Sequence, residues 1–160
     1  MCLTVDKELT EEVKDKFVDG KMICWKWLVA DEDEVTTPYA GVAIQGGEFV
    51  ASDEDIASDY YIDVGAIHVF LSKEAACDDA GLEEIDDRTT QIEFFHSDNI
   101  DDPSNTVIIP VLCREEDFIA AGDFTATLTS ACFKKVFYPL NIESVIRSEV
   151  SFSIEPTWEK

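Results

Sequence analysis

Acidic residues enter this chain as dense clusters separated by short apolar runs. That alternation limits what the chain can build. The clusters are Asp31, Glu32, Asp33 and Glu34; Asp53, Glu54 and Asp55, with Asp59 and Asp63 following; Asp78 and Asp79; Glu83, Glu84, Asp86 and Asp87; Asp98, Asp101 and Asp102; and Glu115, Glu116 and Asp117. Like charges this dense repel one another and resist burial. The pattern reads as a folded scaffold that carries charged loops.

The charge is confined as well as clustered. The chain has 160 residues, with 35 Asp and Glu against 12 Lys and Arg, a net −23. Residues 27–133 hold 25 acids and three bases (Lys73, Arg88 and Arg114), a net −22. Residues 1–26 net −1 and residues 134–160 net zero. Salt adaptation would spread acid over the whole surface, so balanced ends argue against it. An excess of this size disfavours direct binding of nucleic acid or anionic membrane and favours basic partners. A hydrophobic fraction of 46% and ten Phe exclude a disordered acidic tail. One domain spanning residues 1–160 is expected.

Periodicity supplies the elements. Leu9, Val13 and Phe17 make a helical stripe, with Gly20 as its stop. In residues 22–29, Ile23, Trp25, Trp27 and Val29 alternate, as in a half-buried strand. Residues 65–71 read as a buried strand. Ser72 caps a short helix that ends at Gly81. Residues 90–96, 106–113, 123–129, 131–140 and 150–156 read as further strands, and 39–44 and 48–51 as two short ones around a glycine turn. Pro110 implies an edge strand or a bulge. Residues 115–122 suggest one helical turn, and 141–150 a helix capped by Asn141. The expected class is α+β, a mainly antiparallel twisted sheet of short strands with two to four short helices. The balanced termini are expected to pack together.

Motif chemistry is sparse. Cys2, Cys24, Cys77, Cys113 and Cys132 are odd in number and widely spaced, without a zinc or disulfide framework. They read as reduced, mostly buried thiols of a cytoplasmic protein. The N-terminus lacks signal-peptide character, and no apolar run approaches a membrane span. His68 and His96 are the only histidines, and both read as sheet residues. No nucleotide-loop, zinc-protease or serine-hydrolase motif is present. Counting an EF-hand loop from Asp53 places Ser58 and Val64 at the positions that need Gly and Glu, and counting from Asp31 places Thr36 and Val42 there. No metal or cofactor is expected.

The charge itself remains as the functional feature. Duplex DNA carries one negative charge per ~1.7 Å, so a net −22 equals about eleven base pairs. Carboxylates fixed on a scaffold offer Arg and Lys a substitute for phosphates. The chain resembles in kind the DNA mimics that phages and mobile elements use against host restriction or CRISPR effectors. That resemblance implies a decoy that occupies the site of a basic nucleic-acid-binding protein, such as a nuclease or defence effector. All six clusters are candidate contacts. Two other classes compete with it. One is a non-mimic interaction module with acid for solubility. The other is a small enzyme using His68 or a cysteine, for example Cys113 with His68.

Overall fold

A computed structural model describes residues 3–31, 34–38, 42–51, 61–62, 67–82, 89–96, 105–123, 129–145 and 150–158. The strands are β1 (Leu3–Val5), β2 (Lys21–Ala30), β3 (Val35–Thr36), β4 (Gly47–Val50), β5 (Tyr61–Ile62), β6 (Ile67–Phe70), β7 (Ile92–Phe95), β8 (Asn105–Arg114), β9 (Phe118–Asp123), β10 (Ser130–Phe133), β11 (Lys135–Tyr138) and β12 (Phe152–Ile154). Two α-helices accompany them, α1 (Lys7–Lys14) and α2 (Lys73–Ala80). The strands form one antiparallel sheet in the order β12-β7-β8-β2-β6-β10-β9-β1-β5, with β11, β4 and β3 branching from it. The sheet-dominated α+β class therefore holds.

Among the described residues there are two α-helices, and the other two expected helical segments are 3-10 turns, Glu115–Asp117 and Ile142–Val145. After the first of these, Phe118–Asp123 continues as β9 because it pairs with both β1 and β10. Helix α1 ends sooner than its apolar stripe. Asp6 Oδ1 accepts the Leu9 N–H at 2.8 Å and starts the helix, which closes at Asp15. Phe17 lies beyond the helix yet still packs on the core, 5.8 Å from the Phe118 ring. Asp19 and Gly20 take positive φ and turn the chain tightly between Val18 and Lys21. Gly20 thus serves that turn and not a helix end.

The backbone of the fold is the β2–β8 ladder, ten paired residues from Lys21↔Arg114 to Ala30↔Asn105. At ~3.4 Å per residue it is about 30 Å long. Both faces of β2 are covered, so it is more than half-buried. Cys24, Leu28 and Ala30 enter the main core with Val107, Ile109, Val111 and Phe133. Trp25, with Ile23 and Trp27 beside it, packs under Ala76 and Cys77 of α2. Strand β8 is central and not an edge. Pro110 sits between the β7 pairing at Thr106–Ile108 and the β11 pairing at Leu112–Cys113. Its missing N–H falls where the second neighbour changes, so the edge is local. Among the described residues the terminal strands do not pair with each other: β12 joins β7 at one end of the strand order, and β1 joins β9 and β5 near the other. β12 is the edge strand at its end, whereas β1 lies between β9 and β5.

Candidate acidic interface

Helix α2 forms as its sequence indicates. Ser72 Oγ accepts the Ala75 N–H at 3.1 Å, and Gly81 closes the helix with φ 76°. Its inner side is held by a buried cation. Lys73 is 3% exposed, donates to Thr89 Oγ1 at 2.8 Å, pairs with Glu93 and lies over the Trp25 ring. At the other end of the helix the Trp27 indole N–H donates to Asp79 Oδ2 at 2.7 Å. The aromatic face of β2 thereby fixes both ends of α2, and the helix runs from the level of Trp25 toward that of Trp27.

A cleft of about 440 Å³ opens beside the helix, lined by Phe70, Ser72, Glu74, Ala75, Asp78, Asp79 and Thr129. Glu74 and Asp78 are exposed, and Asp79 is half-buried. Three carboxylates thus share a concave surface with an aromatic ring. Sequence reading passed over Glu74 because it stands outside a cluster. Its i,i+4 spacing to Asp78, which puts both on one helix face, was the available signal.

The remaining described acids of the clusters fall at the two ends of the β2–β8 ladder. Asp31 follows Ala30 and makes a tight turn with Glu34, whose N–H it receives at 2.9 Å. Both carboxylates are exposed. His96 and Asn105, which flank the 98–102 cluster, sit at this same end. Leu82, which precedes the 83–87 cluster, packs with Trp27 and Phe95, also toward this end. Glu115, Glu116 and Asp117 lie about 30 Å away, beyond Arg114. Ala51, which precedes the 53–55 cluster, bonds Lys134 O there. Glu32, Asp33, Asp53, Glu54, Asp55, Glu83, Glu84, Asp86, Asp87, Asp98, Asp101 and Asp102 lie outside the described residues, as do Asp59, Asp63 and Cys2.

The far end is chemically different. Arg114 stands 3.7 Å from Glu116 and stacks over the Phe137 ring at 4.5 Å. Lys135 meets Glu48 at 3.1 Å, while Lys21 and Lys134 are exposed. Asp117 is half-buried, and burial raises its carboxyl above the usual range, opposed chiefly by Lys135. The 115–117 cluster is therefore partly neutralised. Of the described cluster acids, Asp31 and Glu34 mark one pole of the ladder, and Glu115, Glu116 and Asp117 mark the other, where they lie among Lys21, Arg114, Lys134 and Lys135.

Nucleophile chemistry gains little. Cys24, Cys77, Cys113 and Cys132 are buried and form no disulfide. His68 does not meet Cys113: Ile67 and Val69 face the core that holds Cys113, and His68 alternates away from them. Its register partner is Cys132. Burial pushes the thiols of Cys113 and Cys132 well up, which opposes thiolate formation. His96 is half-buried, and its backbone N–H donates to Ser151 Oγ. Among the described residues no three His, Cys, Asp or Glu side chains group as metal ligands, and no helix is long and apolar enough to cross a membrane.

No protein family, curated protein or solved structure matches the chain.

Proposed function

We propose that this protein is an acidic decoy whose α2 cleft and adjoining pole occupy the nucleic-acid site of a basic protein. The observation that carries the reading is the sorting of charge along the central ladder. Exposed Asp31 and Glu34 lie at one pole with Glu74 and Asp78 along α2, whereas at the other pole exposed Glu115 and Glu116 lie among Lys21, Lys134 and Arg114. Two of the three bases in residues 27–133 are engaged locally, Lys73 beneath α2 and Arg114 with Glu116. A guanidinium entering the cleft would meet Glu74, Asp78 and Asp79 beside the face or edge of Phe70, a combination suited to Arg. Partners of this kind are nucleases or defence effectors of the phage and mobile-element conflict.

The test uses immobilised protein, with bound partners displaced by duplex DNA and by salt. Reversing Glu74 and Asp78, or Glu83, Glu84, Asp86 and Asp87, is expected to weaken capture by tenfold or more, the equivalent of ~1.4 kcal/mol. Reversing Glu115 and Glu116 is expected to change it much less. Capture that survives high salt and every reversal would instead favour a module that binds through apolar surface.

A further inference from the structure

Helix α2 covers only part of the sheet face on which it lies. In strands β4, β11, β8 and β2 the inner side chains, among them Tyr138, Val136, Val111 and Cys24, join the main core. The outer ones form two rows fixed by register. Glu48, Phe137, Leu112 and Ile23 make the first. Val50, Lys135, Arg114 and Lys21 make the second, with Lys135 beside Arg114 one step past the Val136↔Cys113 pair. Both rows lie toward the Lys21–Arg114 end of the ladder, whereas α2 sits farther along the same face, over Trp25 and Ile108. Val50 is 60% exposed, Lys21 is exposed, and Leu112 and Phe137 are half-buried. In a chain of net −23, this half-face gathers three bases in line beside an apolar row. Glu48 meets Lys135 at 3.1 Å and Glu116 stands 3.7 Å from Arg114, but exposed pairs of this kind are worth little, so the row keeps its attraction for acid.

We propose that this half-face docks a second copy of the chain, whose α2 lies on it by its outer side. Three features select that occupant. The first is charge. Glu74 and Asp78 are exposed on the outer side of α2, and their i,i+4 spacing sets them about 6 Å apart. Bases on neighbouring strands of the row stand about 4.8 Å apart, a comparable step. The second is symmetry. The helix and the bare half share one face of one sheet, so a two-fold axis across the strands between them places each α2 on the other copy's bare half. The third is area. The bare half is about 19 Å across four strands and about 14 Å deep over four residues. Counted on both copies and for both contacts, about 1,000 Å² is covered, the lower bound for a specific interface. The dimer is therefore weak, and the net charge of each copy opposes it at low salt. At about 0.15 M salt the screening length is ~8 Å, which mutes that repulsion and keeps pairs in contact. The inference stands apart from the decoy reading, because no basic partner enters it.

Sedimentation equilibrium of the whole chain at about 0.15 M salt, up to about 1 mM protein, tests the contact. The wild type is expected to approach twice the chain mass and stop there. Glu74→Lys with Asp78→Lys, and separately Lys21→Glu with Lys135→Glu, are each expected to weaken the dimer by about tenfold or more. If the second variant does not fold, Lys21→Glu alone takes its place. Mixing the two variants is the decisive arm. In the mixed dimer a reversed helix meets a reversed row and a native helix meets a native row, so both contacts regain opposite charges. The mixture is expected to recover the dimer. A wild type that stays monomeric overturns the proposal, as does one that grows past the dimer, a dimer that both variants leave intact, or a mixture that stays monomeric. A monomeric wild type whose Lys21 and Lys135 signals shift with poly-glutamate would assign the face to a foreign acidic chain instead.

Discussion

At the scale of single residues, burial of ionisable groups sets an alkaline stability profile. Lys26 is lowered to about 8, so below that pH the folded state carries a buried charge that the unfolded chain does not. The cost is fully present there and fades as pH rises from about 8 to 10.5, where the unfolded chain binds more protons. The shift is equivalent to about 3 kcal/mol. The thiols work in the opposite sense. Burial pushes Cys77 up to about 11, and its contribution is present below the ordinary thiol value of 9.0 and lost as pH rises through 11. Cys113 and Cys132 add to that loss. Urea unfolding is expected to show stability rising from about pH 8 to about 9 and falling above it. Lys26→Met should lose the rising limb. A flat profile in the wild type would contradict this assignment of charge.

At the scale of elements, α2 depends on the buried pair of Lys73 and Glu93. Removing one partner strands a charge, whereas removing both does not. Lys73→Met is expected to lower stability by about 3 kcal/mol, and Lys73→Met with Glu93→Leu to recover most of it. A double-mutant cycle by urea unfolding measures the difference. Strand β1 depends on Gly122. A Cβ there would lie 2.0 Å from Thr4 O, on the backbone of the neighbouring strand. Gly122→Ala is therefore expected to detach β1 from β9 at a cost of about 3 kcal/mol, read in the same experiment and in lost protection of the β1 amides. Helix α1 anchors that region independently: Thr10 Oγ1 donates to Ala121 O and accepts the Ala121 N–H at 3.0 Å.

At the scale of the molecule, the same charge opposes folding and, in the proposed decoy, drives association. Repulsion among the acids is screened by salt, as is attraction to a basic partner. Raising ionic strength from about 0.01 M to 0.15 M shortens the screening length from ~30 Å to ~8 Å, from the ladder's full length to about a quarter of it. The thermal midpoint is expected to rise over that range while affinity for a basic partner falls. Calorimetry and binding on the same samples check both signs. A partner held equally at both salt concentrations would show that the acids serve solubility.

Much of the local structure was legible in the sequence. Capping residues marked α2, alternation marked β2, and β-branched runs marked the central strands, because those signals act between near neighbours. It also determined the amount and confinement of the charge. Several features lay beyond its reach. Residues 118–123 pair as β9, with partners more than a hundred residues away in β1. Trp25 and Trp27 required α2 to cover the face that the strand pattern alone would have left half-open. Lys73 counted in sequence as one base among few, yet in space it is buried against Glu93. Whether the acids act together also had no local signal. The register of β2 with β8 set only their spacing, by sending Asp31 and Glu115 to opposite ends of one ladder. Periodicity reports which face a side chain takes, whereas the distance between clusters depends on which strands pair and in what register.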